Sequence, residues 1–556
     1  MSLPNLLRTR HGRLVAFFFL YVTEGIPLGF AATAVATQLR RQDVGPAEIG
    51  AFVGSFYLPW AFKWAFGPLV DVFRSERLGA RRGWILGTQL ALIVTLLACT
   101  GLDLPAQLGV LTAVLLVHNT FGAMQDVAID ALAVATLRDD ERGLANGVMF
   151  AGASIGAAVG GSGVLFLMPL IGLPGGFVFV AGCIAVVTLL VVVPMREAPL
   201  ADAAPAVSSL RVAGREMARF SQDALRSFLG TRAAFAGLGF ALLPAGAMSL
   251  GLALQSNLAV ELGMDDSAIA WLSLWSQVVS AVFMVLGGVM SDRLGRRRTL
   301  AVFLALTAPP VLYMAAVLWG QGWIMPVPEA ERASRAAAPL LVTALWVATL
   351  GYSVANGLMY GTRSAIFMDV TNPKVAATQF TAYMAMMNVA IAYSATWQGI
   401  AIEALGYPAT LVIDAVLGVL CIALLPWMGR APGGAGSPAG DGAAAARARM
   451  LAAVLAAACL AWTPLGLGWW KPGSLAPMVD TVFTLVFVGA AVFLATGAQA
   501  VGGRLGRAGL ALAPLLLAMY ARRWWPDLPL VYAAVPLAAA AVLAAQARQG
   551  WESLRG

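Results

Sequence analysis

Two carboxylates stand four residues apart in the stretch 118–130, inside an apolar run from about 107 to 136. At this spacing Asp126 and Asp130 share nearly the same face of a helix, and Asn119 falls on that face one heptad earlier. An apolar run of this length spans a bilayer. Because carboxylates are costly in lipid, we expect the pair to face a watery interior lined by protein. There they could bind and release protons, with Asp126 as the expected coupling acid and a purely structural role open for Asp130, and Asn119 and Gln125 could contact a solute.

Two further charged residues lie in apolar runs of the first third of the chain. Glu24 has glycines beside it and stands close to Pro27, which removes a backbone donor from a helix. We predict that Glu24 binds a proton or a substrate; a hydrogen-bonded structural acid is the alternative. Lys63 needs a partner within the membrane, and the candidates are Glu24, Asp126 and Asp130. A permanently paired structural cluster is the competing interpretation.

A third polar group lies in the run 339–368, where Asn356, Tyr360 and Arg363 are followed by Asp369. When Asp369 is overlaid on Asp130, Arg363 falls near the level of the acidic pair. The planar guanidinium fork suits a carboxylate or a phosphate. Arg363 is therefore predicted to anchor an acidic substrate, with Asn356 and Tyr360 beside it. An ion pair with Asp369 and snorkelling to the interface are the alternatives.

The composition defines the class of protein that must position these groups. The 556 residues are 60% hydrophobic and 12% charged, with a mean hydropathy of +0.80. Soluble proteins carry about 25% charged residues, so this is an all-α polytopic membrane protein. The first apolar run reads as a span rather than a signal peptide. Four cysteines lie in apolar runs without paired spacing, so neither a disulfide, a metal site nor a cofactor is expected.

Hydrophobic runs predict twelve spans and a tail. The predicted cores are 14–37, 49–70, 83–102, 107–136, 144–168, 174–194, 233–257, 267–290, 299–320, 339–368, 376–402 and 407–428. Further runs lie at 449–468, 476–499, 507–522 and 529–547, which predicts two to four additional transmembrane helices. The domains are thus a six-helix bundle at 1–194, a cytoplasmic linker at 195–232, a second bundle at 233–428, a Gly/Pro-rich linker at 429–448 and the tail at 449–556.

The distribution of basic residues predicts the orientation. With the N-terminus in the cytoplasm, 27 of the 36 Lys and Arg residues fall on the inside, which follows the positive-inside rule. The outside receives few, among them Arg40 and Arg41, and the pair Arg522 and Arg523 is a local exception. Both termini are expected in the cytoplasm. The net charge of +8 is therefore a topological signal, and nucleic acid is not an expected partner.

The two halves repeat a short loop after their second span. The first copy contains Gly67, Asp71, Arg81 and Arg82; the second contains Gly288, Asp292, Arg293, Gly295, Arg296 and Arg297. An Asp at a helix end could bind a neighbouring helix N-terminus or the loop arginines and open during a conformational cycle. The arginines could instead be topology signals alone. Over about 1–428 the chain resembles the major facilitator superfamily, whose 6+6 helix fold holds its substrate between the halves.

Motifs over residues 20–150 narrow the resemblance. They are Glu24-Gly-Ile-Pro-Leu-Gly29, Leu58-Pro-Trp-Ala-Phe-Lys-Trp64, Gly67-Pro-Leu-Val-Asp71 and Gln125-Asp-Val-Ala-Ile-Asp130. They resemble the branch that contains the AmpG muropeptide permeases and the acetyl-CoA transporters, and extra spans after the twelfth are similar to AmpG proteins. The resemblance implies a monomeric, proton-coupled importer of muropeptides in the inner membrane, working by alternating access.

Other functions remain open at this stage. Acetyl-CoA, another acidic metabolite or a siderophore could be the transported solute. A membrane-embedded transferase is disfavoured because the outer loop at 321–338 has no nucleophile–His arrangement; a sensor on the same scaffold is a further alternative.

Smaller signals concern packing. Gly152, Gly156 and Gly160 are spaced by four and predict close helix contact. Asp414 and Asp480 are isolated and are expected near the interfaces.

Overall fold

The chain is folded into long helices in a computed structural model. It describes residues 5–73, 78–137, 142–197, 210–328, 331, 338–371, 376–429, 442–523, 528–549 and 551. Eleven helices within these ranges are long and apolar enough to cross a membrane. Helical structure occupies each of the predicted cores, which confirms the all-α polytopic prediction.

The first half contains seven helices. They are α1 (Arg10–Arg41), α2 (Pro46–Ala61), α3 (Gly67–Val72), α4 (Arg82–Ala98), α5 (Leu108–Thr136), α6 (Arg142–Ala158) and α7 (Val164–Val187). The regular helix of the second span, α2, ends early, at Ala61. A 3-10 turn at Lys63–Ala65 separates it from α3. The fifth and sixth spans are joined at Gly172, whose φ of +63° is a conformation that favours glycine.

Spans one and five contact each other through glycines on both sides. A Cβ added at Gly25 would lie 1.9 Å from the Ala153 carbonyl oxygen, and one at Gly29 would lie 2.0 Å from that of Ala157. On the other helix, a Cβ at Gly156 would lie 2.3 Å from the Val22 oxygen. The predicted close packing of the fifth span is thus confirmed, and its partner is the helix that carries Glu24.

The second half follows a helix that lies in the predicted linker. Its helices are α8 (Leu210–Gly230), α9 (Arg232–Leu242), α10 (Ala253–Glu261), α11 (Asp266–Leu294), α12 (Arg296–Leu306), α13 (Ala308–Gly320), α14 (Pro339–Val370), α15 (Ala376–Leu405) and α16 (Tyr407–Leu420). The α8 helix lies in the predicted linker, and α9 and α10 together form the seventh span.

The seventh span is broken, and Asp414 of α16 stabilises the break. Its Oδ2 accepts hydrogen bonds from the backbone amides of Met248 and Ser249, both at 2.9 Å, and from the Ser249 hydroxyl at 2.6 Å. Gln398 donates to Oδ1 at 2.8 Å. Asp414 is not isolated, as the sequence suggested: it is fully buried because its oxygens satisfy backbone groups that the broken helix leaves free. Its position relative to the membrane interfaces stays a prediction.

The tail contains α17 (Gly442–Ala461), α18 (Thr463–Gly466), α19 (Ala476–Val501), α20 (Gly503–Ala518) and α21 (Pro529–Gln549). Arg522 forms an ion pair with Asp480 of α19, and its guanidinium carbon lies 5.1 Å above the Trp462 ring. This exception to the charge bias is therefore a buried, paired arginine rather than a loop cation.

The chain divides into two compact units. One unit comprises 1–214, 240–366 and 384–423, and the other comprises 215–239, 367–383 and 424–556. The first unit contains most of both six-helix halves, and the second contains the tail with a core around Phe487, Leu494 and Trp551. The domain boundaries drawn from the sequence stay a prediction.

Candidate functional site

An ammonium group and two carboxylates meet in the first half. Lys63 Nζ lies 2.8 Å from Asp126 Oδ2 and 3.9 Å from Asp130 Oδ2. The Tyr21 hydroxyl of α1 donates to Asp130 Oδ1 at 2.8 Å. The four-residue spacing on α5 turns both carboxylates toward Lys63. Of the partners considered for Lys63 from the sequence, the two aspartates make the direct ion pairs.

The local fold explains why Lys63 can reach α5. Phe62 has left helical geometry where α2 ends, and Lys63 begins the following 3-10 turn. Pro59 in the last turn of α2 lacks an amide hydrogen, which favours an early end of the helix. The irregular backbone therefore lies beside a polar cluster, as expected for non-helical structure at membrane depth.

The two carboxylates differ in exposure. The Asp126 side chain is 4% exposed, whereas that of Asp130 is 47% exposed. Asp126 is thus enclosed with its lysine partner, and Asp130 presents an oxygen to an accessible space. Because a carboxylate is costly in lipid, this space is expected to contain water.

Glu24 lies within electrostatic range of Lys63, Asp126 and Asp130. Its Oε1 is buried and has no hydrogen-bond partner among the described residues. Three carboxyl groups therefore share one ammonium group in this part of the first half. Such a cluster has an excess of acid groups, which gives it capacity to hold a proton.

The amides that the sequence assigned to a substrate make internal contacts. Asn119 donates to the Phe56 carbonyl at 2.9 Å, and Gln125 donates to the Thr23 hydroxyl at 3.0 Å. Both side chains are buried. His118 lies off this face and contacts the Thr95 hydroxyl at 2.8 Å. No cluster of three or more metal-ligating acid, His or Cys side chains occurs in the described ranges.

Arg363 is a buried cation in the second half. It is 2% exposed, and its guanidinium carbon lies 4.5 Å above the Tyr360 ring on the same helix, α14. Nε and one terminal nitrogen have no hydrogen-bond partner in the described part of the chain. A guanidinium with free, buried N–H groups is suited to binding an anion. Asn356 is half-buried two turns before Arg363.

Aromatic rings connect the acidic cluster with Arg363. The Tyr21 ring is 6.1 Å from that of Phe150 on α6, and Phe150 is 6.5 Å from Tyr360 on α14. Sequence reasoning missed Phe150, because a phenylalanine in a transmembrane helix carries no signal of its own. Its position between Tyr21 and Tyr360 depends on how helices of both halves pack together.

A second polar cluster joins the halves at what we call the distal side, the side of the loops at 42–45 and 262–265. Arg40 at the end of α1 forms a buried ion pair with Glu261 at the end of α10. Glu261 also accepts from the Tyr407 hydroxyl at 2.7 Å and from the Val327 amide at 3.0 Å. Each charge is thus surrounded by hydrogen-bond partners, which buried ion pairs require.

Further contacts at the distal side support this pair. Arg41 Nε donates to Asp266 Oδ1 at 2.7 Å, and the Ala47 amide donates to Glu403 at 2.9 Å. Helices α2 and α15 are closely packed, since a Cβ at Gly50 would lie 2.5 Å from the Ala395 oxygen. The halves are therefore tightly joined on the distal side.

The repeated loop motif is only partly described. The amides of Arg81 and Arg82 donate to the Glu197 carboxylate, and the Arg82 guanidinium binds the carbonyls of Val192 and Val193. This first copy thus anchors the end of the sixth span. The side chains of Asp71 and Asp292 lie outside the described part of the structure.

The remaining motif residues differ in their surroundings. In the second copy Gly295 has φ of +92° between α11 and α12, and Arg293 and Arg297 are exposed while Arg296 is half-buried. Nothing lies within 4 Å of a Cβ built on Gly67 or Gly288. The gating role of this motif stays a prediction.

Residues 14–248 match the model of the Major Facilitator Superfamily. The match covers 235 of the 556 residues, and over this part the chain is similar to that superfamily. The chain is a multi-pass membrane transporter of the secondary type rather than an enzyme, as the resemblance predicts. Solved structures support the fold alone. A POT family transporter in complex with 5-aminolevulinic acid gives a TM-score of 0.57 at 10% identity, covering 76% of this chain and 98% of that one.

Curated relatives carry permease names. The chain is 25% identical to the anhydromuropeptide permease of Escherichia coli strain K12 over 423 residues, which cover 73% of this chain and 78% of the relative. It is 25% identical over 185 residues to putative transporter AmpG 4 of Rickettsia felis, covering 32% of this chain and 44% of the relative. The resemblance to the AmpG permeases is thereby confirmed.

Proposed function

We propose that this protein is a proton-coupled importer of anhydro-muropeptides, with GlcNAc-anhydroMurNAc as the sugar core. It would work as a monomer in the inner membrane by alternating access, with both termini in the cytoplasm and the distal side toward the periplasm. The likeness to the Escherichia coli permease supports the substrate class. The bias of basic residues toward the side of the membrane that holds the N-terminus supports the orientation.

One observation carries this proposal: the buried Arg363 guanidinium keeps two nitrogens without a described partner. A buried charge without a counterion is costly, so an arginine in this position is adapted to a ligand that supplies the negative charge. Muropeptides carry several carboxylates, and a carboxylate matches the guanidinium fork. Arg363 would thus bind the acidic part of the substrate, with Tyr360 and Asn356 on the same helix.

The acidic cluster of the first half supports proton coupling, and its geometry favours Asp130 over Asp126 as the coupling acid. Protonation of Asp126 would break the 2.8 Å contact with Lys63. Protonation of Asp130 would leave that contact intact, and this carboxylate is the accessible one. We therefore assign proton exchange to Asp130. Asp126 would balance the charge of Lys63, and Glu24 would be an additional buried acid in the same cluster.

The contacts on the distal side support alternating access. A transporter of this type must close one side while the other is open. Arg40, Glu261, Arg41 and Asp266 belong to different halves and are paired in this structure. This corresponds to a state closed toward the periplasm.

Uptake into proteoliposomes tests the proposal. Vesicles that contain the purified protein should accumulate labelled anhydro-muropeptide when the outside is acidified, and an ionophore that collapses the gradient should abolish accumulation. Arg363→Gln should reduce substrate affinity at least tenfold, while Arg363→Lys should retain part of it. Absence of uptake by the folded wild-type protein would exclude the muropeptide as substrate.

Acetyl-CoA or another phosphorylated metabolite is the second candidate, because the same guanidinium fork also binds phosphate. A competition experiment distinguishes the two candidate substrates. Unlabelled acetyl-CoA added at millimolar concentration should not reduce muropeptide uptake if the first proposal is correct. Gradient-driven uptake of acetyl-CoA itself, abolished by Arg363→Gln, would favour the second.

A further inference from the structure

Three aromatic rings form a continuous row between Asp130 and Arg363. Tyr21 and Phe150 are arranged edge to face at 6.1 Å and 76°, and Phe150 and Tyr360 at 6.5 Å and 73°. Tyr21 donates to Asp130 at one end, and Tyr360 lies beneath the Arg363 guanidinium at the other. The row crosses from the first half to the second, since α1 and α6 supply two rings and α14 the third.

The middle ring is accessible. Phe150 is 39% exposed, although it touches a ring on each side. Asp130, bound to the same Tyr21, is also about half exposed, and an exposed carboxylate indicates water rather than lipid. Because Tyr360 comes from the opposite half, Phe150 faces the region between the halves. Its exposed surface therefore belongs to the space in which a substrate of this fold is bound.

An accessible aromatic ring near a buried guanidinium favours a ligand that combines a sugar ring with an acidic group. The face of an aromatic ring is electron-rich, and the aliphatic C–H groups on one face of a pyranose ring carry partial positive charge. Phe150 is 39% exposed, so part of its ring surface stays available for such a contact. Arg363, on the far side of Tyr360, could then bind a carboxylate that is attached to the same sugar.

We propose that Phe150 and Tyr360 form a stacking site for a pyranose ring whose acidic substituent is bound by Arg363. This inference rests on the proposed function, since it assigns the sugar core of the substrate to named residues. It makes Phe150 a binding residue on the first half and Arg363 one on the second. One sugar would thereby contact both halves.

The chain offers a matched control for this assignment. Phe166 makes an edge contact with Trp271 of α11 at 5.3 Å, which also joins the first half to the second. It lies sixteen residues after Phe150 on the same span, roughly 24 Å away at 1.5 Å per residue. A substitution there removes an aromatic contact between the halves but is remote from Asp130 and Arg363.

Binding of the disaccharide GlcNAc-anhydroMurNAc without peptide, measured by calorimetry on the full chain in lipid nanodiscs, tests the inference. Phe150→Leu keeps the apolar volume and removes the ring, and we expect about a tenfold loss of affinity. Phe150→Trp should retain binding, and Phe166→Leu should bind like the wild type. A free peptide with the sequence of the muropeptide stem should have the same affinity for Phe150→Leu as for the wild type.

Each outcome separates the inference from the proposed function. If the folded wild-type protein does not bind the disaccharide or the intact muropeptide, the proposed function fails. If the wild type binds and Phe150→Leu binds equally well, the stacking site is wrong while the transporter assignment stands. An equal loss in Phe150→Leu and Phe166→Leu would also overturn the inference, because it would trace the effect to packing between the halves. Thermal melting of each variant establishes that the compared proteins are folded.

Discussion

Asp126 and Asp130 are chemically identical and one helical turn apart, yet their surroundings differ. Asp126 is enclosed with Lys63, whereas Asp130 shares that lysine at 3.9 Å and is open to water. The sequence showed the spacing and therefore the shared face. It could not show which carboxylate the lysine would prefer, because this depends on where α2 ends relative to α5.

Asp130→Asn is predicted to uncouple transport. The amide cannot be protonated but can still accept from Tyr21, so the fold should be retained. Vesicles with this variant should exchange labelled for unlabelled muropeptide across the membrane at a rate near that of the wild type. They should fail to accumulate it under a pH gradient. Accumulation that remains gradient-driven would show that Asp130 does not carry the proton.

Asp126→Asn is predicted to act on stability as well as on transport. It would leave the largely buried Lys63 with Asp130 alone. Removing one partner of a buried ion pair costs at most about 3–5 kcal/mol. We expect a marked fall in melting temperature in detergent. The double variant Lys63→Gln with Asp126→Asn removes both charges and should recover most of the loss. A double variant that is less stable than Asp126→Asn would contradict the assignment of the pair as mutual partners.

At the scale of elements, glycine spacing was an accurate guide to packing. The four-residue repeat in α6 predicted close approach, and the structure adds that α1 is the partner. Because both helices contribute glycines, their backbones touch, and α1 holds Glu24 and Tyr21 at a fixed level against α6.

Gly156→Ala tests this contact. The added methyl would lie 2.3 Å from the Val22 oxygen, so α1 and α6 must separate. We expect a destabilisation of about 1–3 kcal/mol and a lower melting temperature. Gly147→Ala is the control on the same helix, where nothing lies within 4 Å of the new methyl. It should be neutral or slightly stabilising, since alanine favours helix over glycine.

The broken seventh span shows where sequence reasoning stops. Residues 233–257 read as one apolar run, yet the helix is interrupted between Leu242 and Ala253. The interruption is tolerated because Asp414, from a helix more than 150 residues away, binds the freed amides. Hydropathy detects both segments but contains no information on which polar group faces which break. Asp414 was therefore interpreted as isolated, although it is among the most buried acids of the chain.

At the scale of the whole molecule, the distribution of basic residues contains more information than the positive-inside rule extracts from it. Three of the basic residues on the predicted outer side, Arg40, Arg41 and Arg522, are each paired with a carboxylate. A cation that lies against the positive-inside bias has to be stabilised by something other than the cytoplasmic side. Two of these three paired arginines, Arg40 and Arg41, join the six-helix halves.

If the protein works by the proposed alternating access, the distal ion pairs are expected to set the balance between its two states. Arg40 and Glu261 are buried and paired in this structure, and in a distally open state both would be hydrated. Arg40→Gln leaves Glu261 enclosed without its cation, which should raise the free energy of the closed state by about 3 kcal/mol. The population of the distally open state would then increase by roughly a hundredfold.

Chemical labelling measures this shift. A cysteine placed at Ser256, which is buried against Ala32 of α1, should react faster with a membrane-impermeant maleimide in Arg40→Gln than in the wild-type background. The charge-swapped variant Arg40→Glu with Glu261→Arg should bring the rate back toward the wild type, although Tyr407 and Val327 are placed for a carboxylate at the second position. A labelling rate that is unchanged in Arg40→Gln would mean that glycine packing between α2 and α15 alone closes this side. The ion pair would then contribute to folding and not to the cycle, because only a contact that differs between two states can shift the population between them.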